Sequence, residues 1–154
     1  MSYKFESNAK SVIGELKDKL SNLIDEKVMR TAALTTTAII INRVQQKGQN
    51  ADGSQRKSKS AKTTGAYSSG YAKRRRKRGR QIAIVDLTDT GTTLRAFNVL
   101  ETSPTSAAVG FTSETAAQIA EYNEAYYGKI FELSDAEQNK VIDGAIEEIT
   151  RKLQ

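Results

Sequence analysis

Between Gly53 and Val85 the chain carries eleven lysines and arginines and not one carboxylate. Outside that stretch 13 basic residues face 18 acidic ones, so a net charge of +6 is the sum of a +11 segment and a −5 body. So many like charges in so short a stretch repel one another, and the polar residues between them bury too little apolar surface to offset the entropy of ordering. The fold must therefore be built from the flanks. The segment itself is expected to look for counter-charge, either a polyanion or an acidic protein surface.

The 154 residues, 38% of them apolar, suffice for one domain spanning 1–154, with 49–80 forming a basic extended loop or arm within it. Aromatics are 6% and tryptophan is absent, which argues against an aromatic-lined pocket for a small ligand. Cysteine and histidine are both absent, so disulfides, thiolate nucleophiles, the usual zinc spheres and imidazole proton transfer are all excluded. No cofactor or metal is expected. No apolar run approaches the roughly 18 residues that cross a bilayer, and the first ten residues lack the basic-then-apolar order of a signal peptide. The expectation is a chain made in the cytoplasm, with no membrane partner.

From about Ser7 to Lys47 apolar residues including Ile13, Leu16, Leu20, Leu23, Val28 and Val44 step mostly by three and four, which predicts a long helix. The β-branched run near Thr31 to Ile41 points to a kink or break around residues 26–34. Gly48 should end the helix, and Asp52-Gly53 should centre a turn. Gln55 to Gly65 is expected to move until a partner holds it. Tyr67 and Tyr71 then precede the densest cations, where a short helix would be basic nearly all round. Arg95–Glu101 and Ser106–Phe111, joined through Pro104, read as a hairpin. Ser113 caps a helix that runs to Tyr127, ends at Gly128, and has Ala116, Ile119, Ala120 and Tyr126 or Tyr127 on one face. Ser134 and Glu137 form a capping box for a last helix whose apolar stripe is Val141, Ile142, Ala145, Ile146, Ile149 and Leu153. The predicted fold is α+β: a long N-terminal helix, a small curved antiparallel sheet and two further helices, the C-terminal one amphipathic.

No phosphate-binding glycine loop is present, although Gly65, Gly70 and Gly79 lie near lysines. Glu114, Glu121, Glu124 and Glu132 read as a solvated helix face rather than catalytic acids, and Asp86 and Asp89 as turn and cap residues. The residues expected to make electrostatic contact, with protein or with DNA backbone irrespective of sequence, are Arg56, Lys57, Lys59, Lys62, Lys73, Arg74, Arg75, Arg76, Lys77, Arg78 and Arg80.

The order of these pieces resembles a known group. The pieces are the loop around Asp52-Gly53, the pattern Leu87-Thr88-Asp89-Thr90-Gly91 with Leu94, the run AAVGF, and Phe131 to Glu137 (FELSDAE). Over about residues 35 to 150 the chain is similar to the tail-completion and virion-morphogenesis proteins of tailed bacteriophages, including the Mu G-like and HK97 gp10-like head-tail joining proteins. The resemblance implies a non-enzymatic structural subunit of the phage neck or tail end, acting as a head-tail joining or tail completion and terminator protein. It implies a ring, of six or twelve copies, against connector, portal or tail-tube proteins, with genomic DNA passing through the lumen. Thr90 and Gly91 are expected to serve the turn that places the sheet. The residues alone leave another reading open: a free, sequence-independent nucleic-acid-binding protein using the same arm.

Overall fold

The computed structural model describes residues 18, 21–60 and 66–154. Ile13, Leu16, Leu20, Lys62 and Gly65 lie outside the described residues. Helix α1 (Glu26–Asn42) starts where Asp25 leaves helical backbone and its Oδ1 accepts from the Val28 amide at 3.0 Å. The interruption expected within 26–34 falls just upstream, at Ile24 and Asp25. The threonine run does not break the helix, because the Thr36 and Thr37 hydroxyls donate to the carbonyls of Ala32 and Ala33 one turn back.

α1 passes directly into a π-helical turn, Arg43–Lys47, and stops at Gly48. Gly48 has φ of 63°, and a Cβ there would lie 2.8 Å from the Ile84 Cβ, so glycine is required both by the backbone and by the close approach. Helix α2 is Ser69–Lys77, and α3 is the single turn Thr92–Arg95. Strands β1 (Phe97–Thr102) and β2 (Ala107–Phe111) pair antiparallel in a two-stranded sheet. The register slips between Val99 and Glu101, leaving Leu100 as a bulge that bends the strand. Arg95, expected in the first strand, sits in α3 instead. Helix α4 (Glu114–Tyr127) is capped by Ser113 and ended by Gly128, and α5 (Asp135–Lys152) has the Ser134–Glu137 capping box with both bonds made.

Two clusters fill the interior. One holds Ile40, Val44, Leu94, Phe97 and Ile130, with Phe111 and Phe131 packed against it; the three phenylalanine rings lie 4.9 to 5.3 Å apart in tilted and edge-on pairs. The other holds Ala66, Tyr67, Ala72 and Val85 beneath α2. Leu87 and Tyr127 touch both.

The last helix packs on α1 with only part of the apolar stripe expected from the sequence: Val141, Ala145 and Ile149 are half-buried. Ile142, Ile146 and Leu153 are exposed while Glu148 is buried. Polar groups make that join: Lys27 to Glu148 at 2.6 Å, Lys152 to Asp25 at 2.5 Å, and the Arg43 guanidinium to Glu137. Arg43 also donates to the carbonyls of Ile130 and Glu132, so the capping-box glutamate holds helix start, linker and α1 together. Among the described residues no helix is long and apolar enough to cross a membrane.

Candidate electrostatic interaction surface

The basic stretch divides into cations turned inward and cations turned outward. Arg56 is 2% exposed. Its guanidinium donates to four backbone contacts: Val44 O at 2.9 Å, Gln49 O at 2.5 Å, and Val85 O from both Nη2 and Nε. Carbonyl dipoles, not a carboxylate, compensate this charge. Burial and the nearby Arg43 cation lower its pKa to about 10, which leaves it protonated at neutral pH. Arg56 thus ties the start of the basic segment to the end of α1 and to Val85.

Arg75 is the second inward cation, at 1% exposure. Its Nη2 reaches both oxygens of Asp86, at 2.9 and 3.1 Å, and its Nε donates to Gln81 O. The guanidinium carbon stands 4.5 Å over the Tyr67 ring, and Tyr67 meets Tyr71 edge-on. Asp86 also accepts from the Tyr67 hydroxyl, Gln81 Nε2 and the Thr88 amide. Burial raises the Asp86 pKa, but these donors and the Arg75 charge outweigh it and hold the carboxyl below its ordinary value. Tyr67 moves upward, through burial first and the Asp86 charge second.

Arg56 and Arg75 are therefore corrected from contact residues to internal anchors, because each satisfies its donors inside the chain. The stretch read as an extended arm is also helical over Ser69–Lys77. α2 tolerates its charge because Arg74 to Lys77 occupy the last turn, where the unpaired carbonyls of the helix end favour cations. Arg78 makes an exposed ion pair with Asp89 at 3.0 Å.

The outward set is then Lys73, Arg74, Arg76, Lys77 and Arg80, all exposed and without an ion pair among the described residues. Lys57 and Lys59 are exposed as well; the Lys59 Nζ lies 4.8 Å over the Tyr126 ring, and its amide donates to the Tyr126 hydroxyl. The turn residues take their expected places. Asp52 accepts from the Ser54 amide and hydroxyl, Gly53 has φ of 82°, and Thr90 with Gly91 at φ of 71° leads into α3.

Asp86 makes the bond to the Thr88 amide that a turn residue should, but its pairing with Arg75 is not among the sequence expectations. Its signal was position: it is the first carboxylate after eleven cations. Glu124 was likewise no solvated acid, since its Oε1 accepts from the amides of Ile130 and Phe131. Beneath α2 lies a cleft of about 430 Å³ whose lining includes Tyr67, Tyr71, Leu87, Thr93, Ile119 and Tyr127. Leu87 is held there at φ of 53°, a left-handed backbone that a branched side chain rarely adopts. Among the described residues no group of three or more carboxylates, histidines or cysteines is placed to hold a metal ion.

Fold and surface together define a class: an α+β protein that presents one cationic helix, held in position by buried arginines. No family model matches the chain, and no curated protein or solved structure is significantly similar to it.

Proposed function

We propose that this chain is a structural, non-enzymatic protein of the phage neck or tail end, a head-tail joining or tail-completion subunit that assembles as a ring in the virion. The observation that carries the reading is the outward set on α2. Four cations without ion pairs project from α2 and a fifth, Arg80, from just past its end, in a chain whose remainder is net negative, and such an arrangement suits contact with a neighbouring subunit or tier rather than a catalytic task. The α+β architecture agrees with the family the sequence resembles. The mechanism is complementarity of shape and charge: α1, α5 and the hairpin make the body, while α2 reaches a neighbour, an adjacent connector layer or the genome.

The test is the mass of the purified protein by sedimentation, with and without duplex DNA, together with an image of particles that locates the subunit. A closed oligomer and density at the neck are the expected results. A monomer that binds DNA with a steep negative slope in log salt, and that is absent from the particle, would replace this reading with the free nucleic-acid-binding one.

A further inference from the structure

Helix α4 carries an exposed face centred on Tyr122, flanked by Tyr126 beneath Lys59. Tyr122 is 76% exposed, and Ile119 and Tyr126 are each 41% exposed, although the sequence puts Ile119, with Tyr126 or Tyr127, on the face of Ala116 and Ala120. Ala116, Ala120 and Tyr127 turn inward in their place. The exposed carboxylates Glu114 and Glu121 lie on the same helix, which has no basic residue along its length. Exposed tyrosine beside unpaired charge is the composition of an interface centre, not of an ordinary solvated helix. Helix α5 also exposes an apolar row, but its charges have both signs and select no partner.

We infer that the α4 face of one copy is the seat for helix α2 of a second copy. The two helices are opposites: α2 has no acid and α4 has no base. Arg74 and Lys77 of the incoming helix, three apart and so on one face, meet Glu114 and Glu121, which are seven apart on one face of α4, and their aliphatic stems cover Tyr122. The chain already uses this contact internally, with Lys59 over Tyr126 and Arg75 over Tyr67. Because the two faces differ, the contact is head-to-tail, and repeated by rotation it closes a ring. The inference rests on the ring reading and names the seam of that ring.

The experiment uses two variants, Glu114→Lys with Glu121→Lys, and Arg74→Glu with Lys77→Glu. All four residues are exposed, so each variant should keep the wild-type circular dichroism and melting temperature. Each alone should lose assembly, with dissociation constants raised at least about tenfold for each pair of reversed charges. Mixed one to one, they should assemble again, since each supplies the face the other has inverted, and the recovered ring should contain equal numbers of both. Tyr122→Ala should weaken the wild-type ring without changing its charge.

Folded variants that assemble alone as wild type does, or a mixture that stays monomeric, would overturn the seam and leave the ring to another surface. Wild-type protein that stays monomeric at every concentration and is absent from the particle would instead remove the ring reading itself.

Discussion

The two interior clusters are built from different physics. Under α1 and the hairpin, Ile40, Val44, Phe97, Phe131 and Ile130 exclude water by shape, with aromatic edges turned to aromatic faces. Under α2, Ala66, Ala72 and Val85 share the interior with Arg75, Asp86 and Tyr67, whose polar groups are buried but bonded. The first cluster is indifferent to its surroundings in salt and proton. The second is held by charges whose desolvation is offset only while every partner is present. It also underlies the helix that faces outward, so the part of the molecule proposed for contact is the part whose support responds to solution conditions.

The sharpest break in that comparison is Asp86→Ala. It leaves the Arg75 charge buried and unpaired and should cost about 3 to 5 kcal/mol in urea unfolding. Replacing both members, Arg75→Met with Asp86→Leu, should recover part of that loss, because the charge to be compensated is gone. In the apolar cluster Ile40→Ala should cost about 3 kcal/mol and be insensitive to salt and to pH.

The pH dependence has a definite sign. Asp86 has a folded pKa below its unfolded value, so its contribution is fully present above the unfolded value near 4 and is lost as pH falls through the folded one. Stability should drop on acidification, more shallowly in Asp86→Asn; Asp25 and Asp52, also lowered, keep part of the slope. Smaller still, Ser134→Ala removes one bond of the capping box and should cost about 1 kcal/mol. The exposed pair Arg78–Asp89 should contribute less than about 1 kcal/mol, so Arg78→Ala leaves the melting temperature nearly unchanged.

What was legible in the sequence was local chemistry. Ser113 and Gly128 bound α4, Ser134 with Glu137 starts α5, and Gly48 ends the long helix, because each acts through atoms within a turn of itself. The inward turn of Arg56 was not legible: its four contacts come from Val44, Gln49 and Val85, carbonyls brought together only by the finished fold. The same holds for Arg75, one of seven cations between Lys73 and Arg80, selected by the position of Asp86 rather than by its own neighbours. The inward face of α5 was legible only in part: periodicity finds Val141, Ala145 and Ile149, which are half-buried, whereas the buried Glu148 is placed by Lys27 of α1.

The π-helical turn at Arg43–Lys47 sets a limit on how the gene can change. Its extra residue rotates the chain so that Arg43 and Val44, adjacent in sequence, are both buried, one bonded to the Ile130 and Glu132 carbonyls and the other within the apolar cluster. Deleting one codon there would restore regular winding at the expense of a residue, so that Arg43 and Val44 could not both keep their buried places. Length variation among descendants of this chain should therefore avoid residues 43–48 and gather in the turn near Pro104.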